Sequence, residues 1–416
     1  MENPFVFGSE LEPGRLLERT EEVAQVVRTI TERQKLFLIG PRRFGKTSIL
    51  NVAEHEARSA GAVVLRHDAE AYPTFEALVN AIVTSAAREL TTHLKRTGEQ
   101  VTRFFATLGP RINYDAGANT WTASLGIGDP RAAQSPLLLL DALDGVAAMA
   151  AALDRPVALI LDEFQRLVEV GGEDIERQLS ATIRRHVRVA YVFAGSKTTL
   201  LNDMTLNPAR PFYRLGCRLV LGPVPRAGFS EAIHKGFLTA GFDADPEAIE
   251  RLLDLAEDVP YNVQALANMG WEIVRGQASG KHLTIALLEH ALERLVSEDG
   301  PFYSKLWNLC TQAQQRALTA VASLHGRGLH TQETLQRFRL SPALMTRSLG
   351  SLASRDIIRR EETHTDVRWR LEDPFFAAWL TKVGAVPPVQ SHLRQAPGRD
   401  RHRSPLAGAH PLRRME

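Results

Sequence analysis

A glycine-rich loop near the N-terminus has the residue types and the spacing that bind phosphate groups. The segment LFLIGPRRFGKTSIL, residues 36–50, fits the pattern G-x-x-x-x-G-K-[ST] through four residues: Gly40, Gly45, Lys46 and Thr47. In such a loop, free backbone N–H groups surround the phosphates, the lysine neutralises the β/γ oxygens, and the hydroxyl group joins a Mg²⁺ shell. The apolar run 36–39 predicts a strand before the loop, and residues 47–53 predict a helix after it, as this chemistry requires.

The phosphate loop is therefore predicted over residues 40–48. Its candidate nucleotide contacts are Gly40, Pro41, Arg42, Arg43, Phe44, Gly45, Lys46, Thr47 and Ser48. Lys46 is also a candidate catalytic residue, and Thr47 is a candidate metal ligand. The side chains of Arg42 and Arg43 add positive charge to the loop. They either contact phosphate or are solvated, and the sequence leaves both interpretations open.

Two adjacent acids follow a continuous apolar run further along the chain. In VALILDEFQRL these acids are Asp162 and Glu163. At the end of a buried strand, Asp162 can hold Mg²⁺ through water, and Glu163 can orient or deprotonate an attacking water. The alternative is a solvated Asp-Glu pair that only ends the strand. The phosphate loop upstream favours the catalytic interpretation.

Two more residues are candidates for catalysis. Ser196 ends the apolar segment VRVAYVFAGS, where a small polar group can hold the attacking water beside the two acids. The alternative is that Ser196 caps the helix that follows it. Arg214 lies in PFYRLGCR, before the last predicted strand, and can reach the γ-phosphate of a neighbouring subunit. A surface salt bridge is the alternative for this arginine.

The elements that position these residues alternate between strands and helices. Apolar runs at 36–39, 62–69, 156–163, 187–196 and 217–224 predict strands, and apolar residues at helical spacing predict helices between them. This alternation predicts a parallel α/β sheet of the P-loop NTPase type over residues 1–222. The Gly-, Ala- and Thr-rich stretch 109–136 is interpreted as an inserted hairpin or loop.

Two further parts and a tail follow the predicted sheet. Residues 223–300 contain four helical patterns and are predicted to form an α-helical lid. Residues 301–382 are predicted to form a winged helix-turn-helix, with three helices and a two-stranded wing around THTD. Residues 383–416 are rich in Pro, Arg, His and Gly, a composition typical of a disordered tail.

The predicted winged helix has two competing functions. Residues 311–372 contain ten basic and six acidic residues, a net charge of +4. In one interpretation the third helix enters a DNA major groove with Thr346 and Arg347, and Arg359 and Arg360 of the wing contact phosphates. The basic tail then adds non-specific affinity for double-stranded DNA. In the other interpretation the module docks a protein or inhibits the chain, because the fold alone does not determine its ligand.

Composition narrows the class of protein further. The length of 416 residues corresponds to two or three domains at ~100–200 residues each. A net charge of +2 is too small to indicate nucleic-acid binding by itself. Two cysteines fit a reducing cytosol, and neither a signal peptide nor a membrane-spanning run is recognisable. We therefore expect a cytoplasmic protein without a membrane partner.

Taken together, these motifs resemble the archaeal-type ATPase family of the STAND/AAA+ P-loop class, relatives of the origin-recognition ATPases. NPFVFG is similar to the family's opening segment, which implies that Asn3, Pro4 and Phe5 lie by the adenine. The phosphate loop, LILDEFQRL and AGS resemble its nucleotide motifs and sensor strand. DVPYNVQALA resembles its lid motif through Pro260 and Gln264, and LEDPFFAAWL resembles the end of its winged helix. The lid segment has no arginine that could point at a γ-phosphate, which departs from many AAA+ lids.

The resemblance implies ATP and Mg²⁺ as ligands. We expect a nucleotide-dependent switch in which ATP binds between sheet and lid, closure moves the winged helix, and slow hydrolysis resets it. One alternative is an ATP-dependent DNA-binding oligomer in which Arg214 completes the neighbour's site. Another is a regulator or scaffold that binds nucleotide without hydrolysing it. The absence of a lid arginine suggests that hydrolysis is slow without a partner.

Overall fold

The computed structural model describes residues 2–8, 19–94, 103, 110–115, 120–125, 137–278, 280–362 and 367–385. The predicted tail beyond residue 385, with its arginines, and the THTD turn at 363–366 lie outside the described residues. Within the described residues, no helix combines the length and the apolar character needed to cross a bilayer.

The N-terminal part alternates between helices and strands. In chain order its elements are α1 Thr20–Thr31, β1 Lys35–Ile39, α2 Lys46–Ser59, β2 Val63–Asp68, α3 Phe75–Leu94, β3 Pro110–Asp115, β4 Thr120–Leu125, α4 Leu137–Ala151, β5 Val157–Asp162, α5 Gln165–Arg185, β6 Val189–Gly195, α6 Thr198–Leu206 and β7 Cys217–Val220. Five of the strands form one sheet in the spatial order β2-β5-β6-β1-β7. All its pairings are parallel, which confirms the predicted parallel α/β fold.

The strands of this sheet are apolar on both faces because helices cover both faces. Alternate residues of β1 belong to different cores: Phe37 and Ile39 pack in one cluster, and Leu36 and Leu38 pack in the other. The same alternation holds along β2, β5 and β6. Continuous apolar runs therefore become central strands, and the polar residues that follow them lie together at the carboxyl-end edge of the sheet.

Two predictions about irregular segments have clear outcomes. β3 and β4 pair antiparallel as a separate two-stranded sheet, so the predicted inserted hairpin is present. The sequence pattern between β5 and β6 predicts a helix from Ile175 to His186, whereas α5 starts at Gln165 and includes a break at Gly172 with φ of 69°. The first half of this helix could not be predicted from apolar spacing, because the two adjacent glycines interrupt it and glycine disfavours a helix.

Four helices follow the sheet, as predicted. They are α7 Arg226–Thr239, α8 Pro246–Ala256, α9 Pro260–Gly276 and α10 Ile285–Glu298. Two short strands in this helical region were not predicted. They are β8 Asp243–Ala244 and β9 His282–Leu283, which pair in parallel. The strands are too short for an alternating pattern to be visible in the sequence.

The chain divides into two compact units. The first unit contains Met1–Lys305 and Glu372–Phe376, and the second contains Leu306–Leu371 and the residues from Ala377 onward. The first unit thus includes the sheet and the helical region together. The predicted division of this part at residue 222 stays a prediction, because the compact units do not test it.

The remaining elements lie mainly in the second unit. They are α11 Gly300–Asn308, α12 Gln312–Ser323, α13 Gln332–Arg337, α14 Pro342–Ser354, β10 Ile358–Glu362, β11 Val367–Leu371 and α15 Pro374–Lys382. The hydroxyl groups of Thr331 and Ser341 cap the N-termini of α13 and α14. β10 and β11 pair antiparallel. The three predicted helices, α12 to α14, and the antiparallel hairpin are therefore present together with α11 and α15, and the winged-helix assignment stays a prediction.

Candidate functional site

The phosphate loop connects a central strand to the start of a helix. β1 lies between β6 and β7 and ends at Ile39, and α2 begins at Lys46. Gly45 precedes α2 with φ of 85°, a conformation that side-chain-bearing residues rarely adopt. At Gly40 an added Cβ would lie 2.9 Å from the Cβ of Leu221, so a side chain there would clash. Both glycines of the motif thus have a local reason to be glycine.

Lys46 is buried beneath this loop. It is 6% exposed, and its amine donates to the carbonyl oxygens of Gly40 at 2.9 Å and Pro41 at 3.2 Å. Burial lowers the pKa of Lys46, and the nearby carboxylates of Glu163 and Asp162 oppose that shift. The lysine therefore lies close to both predicted catalytic acids, although more than 100 residues separate them in sequence.

Asp162 occupies the end of β5, next to the edge strand β2. It is 6% exposed, and its Oδ1 accepts a hydrogen bond from the backbone N–H of Glu163 at 3.0 Å. A guanidinium nitrogen of Arg66 lies 3.8 Å from its Oδ2. Burial raises the pKa of Asp162, the Glu163 charge raises it further, and Arg66 and Lys46 lower it. A carboxylate supplies the hard oxygen donors that Mg²⁺ prefers.

Glu163 is held by three donors on one carboxylate oxygen. Its Oε2 accepts from the Ser196 backbone N–H at 3.1 Å, from the Ser196 hydroxyl at 2.9 Å and from the Gln165 amide at 2.5 Å. Burial would raise the pKa of Glu163, but Lys46, Gln165 and Ser196 together lower it. The side chain is therefore held in place as a carboxylate. The backbone of Glu163 has a φ of 46°, which few non-glycine residues adopt.

The hydroxyl of Ser196 donates to Glu163, whereas the contact of Ser196 with α6 is made by its backbone carbonyl, which accepts from the N–H of Thr198 at 2.8 Å. α6 has Lys197 at its N-cap, with no hydrogen bond from the cap side chain. Sequence reasoning missed Gln165, which is 1% exposed and shares Glu163 with Ser196. Gln165 could have been identified from the sequence, because it lies two residues after Glu163 in the same strand-end motif.

A cavity adjoins the phosphate loop and has two chemically different ends. Its polar end is formed by loop and α2 residues, namely Arg43, Phe44, Gly45, Lys46, Thr47 and Ser48. Its other walls are mostly apolar, with Arg19 and Gln264 among them: Val6, Phe7, Gly8, Arg19, Val224, Phe229, Pro260, Tyr261 and Gln264. A ligand with a phosphate group and an apolar ring matches this division.

The N-terminal segment contributes to this cavity in an unexpected way. Asn3 donates to the carbonyl of Asn268 at 3.2 Å, and Asn268 donates to the carbonyl of Phe5 at 2.6 Å, which fastens the segment to α9. Phe5 is buried, and its ring packs 5.2 Å from the ring of Phe237 on α7. Asn3, Pro4 and Phe5 do not line the cavity, whereas residues 6–8 do. A direct role for the first three residues in nucleotide binding stays a prediction.

The first turn of α9 closes the opposite wall. Pro260 lines the cavity as predicted, and Tyr261 meets Phe7 edge to face with ring centroids 5.9 Å apart. The Oε1 atom of Gln264 is buried and has no hydrogen-bond partner among the described residues. Such an unsatisfied acceptor beside a cavity fits a ligand that donates a hydrogen bond. Sequence reasoning identified Pro260 and Gln264 from the lid motif but missed Tyr261.

Two predicted arginines lie away from the cavity. Arg42 has half of its side chain exposed and lies 3.8 Å from Glu70. Arg214 is exposed, with its guanidinium 5.1 Å from the ring centre of Tyr213. The predicted role of Arg214 in a neighbouring subunit stays a prediction.

The predicted DNA contacts on α14 and the arginines of the hairpin β10–β11 differ in whether they are paired with an acid. Thr346 and Arg347 are exposed on α14. Arg359 donates to Glu361 at 3.1 Å, and Arg370 donates to the other oxygen of Glu361 at 2.6 Å. The hairpin arginines thus share an acid, while the residues of α14 face solvent.

Comparisons with known proteins agree with this geometry. The family model for the AAA ATPase domain matches residues 15–191. A Walker-type ATPase of Pyrococcus abyssi is similar in structure, with 15% identity, 91% of this chain and 99% of that chain covered, and a TM-score of 0.60. The ORC2 protein of Aeropyrum pernix, solved in ADPNP–ADP complexes, has 16% identity, coverage of 92% and 96%, and a TM-score of 0.55. No match was found among curated proteins.

The class of protein follows from the fold and the domain match. The chain has a P-loop NTPase fold, and its residues 15–191 match the family model for the AAA ATPase domain. The predicted resemblance to archaeal-type AAA+ ATPases related to origin-recognition proteins is confirmed.

Proposed function

We propose that this protein is a slow, Mg²⁺-dependent ATPase that works as a nucleotide-dependent switch. The observation that carries the proposal is the convergence of Lys46, Asp162 and Glu163 at the strand ends, beside a cavity with a polar and an apolar end. Nucleotide complexes of the structurally similar ORC2 protein support a nucleotide as the ligand. The apolar walls, with Phe7 and Tyr261, would hold the base.

Each residue would have a defined task. Loop N–H groups and the Lys46 ammonium would bind the phosphates and neutralise charge that develops during transfer. Glu163 would take a proton from the attacking water, since its pKa is lowered and the carboxylate is unprotonated at neutral pH. Ser196 and Gln165 would hold that carboxylate in position. Thr47 and Asp162 would hold Mg²⁺, which shields the phosphate oxygens when bound.

The predicted winged helix would respond to the nucleotide state. Motion of this module on ATP binding would be the output of the switch, and hydrolysis would reset it. Oligomerisation, with Arg214 acting on a neighbour, is compatible with this function. The exposed Thr346 and Arg347 on α14 favour a second candidate function, ATP-dependent binding of double-stranded DNA.

The first experiment measures steady-state ATP turnover with and without double-stranded DNA. Glu163→Gln should lower turnover by about 10²–10⁴-fold, the usual contribution of a general base, and should retain binding of ATP with Mg²⁺. Glu173→Gln, at an exposed position on α5, is the matched control and should leave turnover unchanged.

The possible outcomes separate the candidates. Stimulation by DNA that Glu163→Gln abolishes would support the DNA-linked function. Equal turnover in wild type and Glu163→Gln would refute hydrolysis at this site. Nucleotide binding without turnover would then leave the regulator or scaffold alternative.

A further inference from the structure

A second cation of the phosphate loop lies at the cavity. Arg43 lines the polar end, three residues before Lys46, with φ of 69°. Its carbonyl accepts from the backbone N–H of Tyr261 at 3.3 Å, and its guanidinium lies 4.8 Å from the centre of the Tyr261 ring. The loop and the first turn of α9 therefore hold Arg43 from two sides, where many AAA+ lids would supply an arginine of their own.

Arg43 has a carboxylate partner that is distant in sequence. Its Nη1 lies 2.7 Å from Oδ2 of Asp373, and the side chains are 33% and 15% exposed. The hydroxyl of Tyr303 donates to the same Oδ2 at 3.0 Å. Burial lowers the pKa of Arg43, but the charge and the hydrogen bond of Asp373, with smaller contributions from Tyr261 and Tyr303, together raise it above its ordinary value. This is a charge-assisted pair that is partly screened from solvent.

Asp373 also starts a helix. Its Oδ1 accepts from the N–H of Phe375 at 3.0 Å, and its carbonyl accepts from the N–H of Phe376 at 3.1 Å. Residues 372–376 belong to the first unit, and the chain continues from them into the second unit in both directions, through β11 and α15. A change at Asp373 thus acts on the segment that ties the second unit to the chain.

The surroundings of the pair are acidic. Asp299 has a pKa raised first by burial and then by the Asp373 charge, while Arg43 lowers it. Glu372 is near enough to Lys46 to act on that ammonium. If Arg43 left Asp373, the charge of Arg43 would no longer offset the repulsion between Asp299 and Asp373. Phosphates bound at the loop would add repulsion toward Glu372 and Asp373.

We propose that Arg43 is shared between Asp373 and the terminal phosphate of a bound nucleoside triphosphate, so that the triphosphate draws Arg43 away and releases residues 372–376. A diphosphate, one phosphate shorter, leaves the Arg43–Asp373 pair intact. The Arg43–Asp373 pair would then sense whether a third phosphate is bound, a role for which the lid has no arginine of its own. This inference rests on the proposed nucleotide-binding function and names the contact through which the nucleotide state reaches the second unit.

The test compares the affinities of the full chain for ADPNP and for ADP, both with Mg²⁺, by calorimetry. If Arg43 must leave Asp373 to bind the third phosphate, Asp373→Asn removes that competition. The preference for ADPNP over ADP should rise roughly tenfold, within the usual range of coupling between sites. Arg43→Ala should reduce the preference, and Asp373→Asn should raise the preference clearly less in the Arg43→Ala background than in the wild type, because only the wild type has the competing pair. Asp174→Asn, an exposed carboxylate paired with Arg177, is the control and should leave the preference unchanged.

A second measurement needs no variant. The N–H groups of Phe375 and Phe376 are hydrogen-bonded to Asp373, so their hydrogen exchange reports on the segment. In wild type, ADPNP should accelerate exchange at residues 372–376 and ADP should not.

Two failures are distinguishable. If the wild type binds neither nucleotide, the proposed function and this inference are both wrong. If both nucleotides bind, but Asp373→Asn leaves the preference unchanged and exchange at 372–376 is the same with ADPNP and ADP, only the sensor is refuted.

Discussion

The strand ends of the first unit and the hairpin β10–β11 of the second unit use charged side chains in opposite ways. Near the strand ends, Lys46 and Asp162 are each 6% exposed, and Lys46 lines the cavity. On the hairpin, Arg359 and Arg370 share Glu361, whose side chain is 35% exposed. One region buries charges that a ligand can still reach, and the other pairs its charges with each other near the surface.

The difference in burial indicates which of the two regions is the site for a charged ligand. Removing ions from water costs several kcal/mol per ion, whereas exposed ion pairs contribute about 0–1 kcal/mol to stability. A protein that retains buried charges at a cavity has them there for chemistry or for a charged ligand. Arg359 of the hairpin, by contrast, is already paired with Glu361, which weakens its case as a phosphate contact.

The largest expected effect is at the buried lysine. Lys46→Ala removes the cation that lies under the phosphate loop and near both acids. We expect ATP turnover to fall by at least about 10²–10³-fold, the usual loss when a preorganised electrostatic group is deleted. Steady-state phosphate release measures this. Lys235→Ala, an exposed lysine on α7, is the matched control. Normal turnover in Lys46→Ala would remove the contrast between the two regions.

A second prediction concerns a buried titratable group of the first unit, away from the cavity. His67 is 6% exposed and bonds Tyr72 at 3.2 Å and Ser85 at 2.9 Å. Burial lowers the pKa of His67 from 6.5 to about 4, with a smaller contribution from Arg88. The unfolded chain therefore takes up this proton at a higher pH than the folded chain. Stability should fall as the pH drops from 6.5 toward 4, by about 3 kcal/mol for this group.

Chemical denaturation of the wild type and His67→Gln across this pH range checks the linkage. The variant should lose less stability than the wild type as the pH falls, because it cannot take up the proton. His55→Gln, at an exposed position on α2, should follow the wild-type profile. Parallel profiles for the wild type and His67→Gln would show that burial of this imidazole does not contribute to acid sensitivity.

The smallest effect is expected on the hairpin. Arg370→Ala breaks a partly exposed pair with Glu361 and should change the free energy of unfolding by less than about 1 kcal/mol. Thermal unfolding measures it, with Arg347→Ala on α14 as an unpaired, exposed comparison. A loss above about 2 kcal/mol would mean that hairpin charges matter structurally as much as buried ones do.

Local patterns were sufficient for much of this molecule. The five strands of the sheet, the helices after them and the phosphate loop all follow from apolar periodicity and from glycine and lysine at fixed spacing. The acids Asp162 and Glu163 were found because a parallel sheet brings polar residues after its strands to one edge. The helix α11 was missed, as was the first half of α5, because short or glycine-interrupted segments carry a weak periodic signal.

The amino-acid sequence by itself determined the elements, the phosphate loop and the identity of the strand-end acids, because these depend on residues close together in the chain. Only the tertiary structure decided which distant residues complete the site. The cavity contacts of residues 6–8 and of Tyr261, and the pairing of Asp373 with Arg43, are contacts that no spacing rule contains. The physical reason is that such contacts form when separate elements pack, and packing depends on the whole set of buried side chains at once.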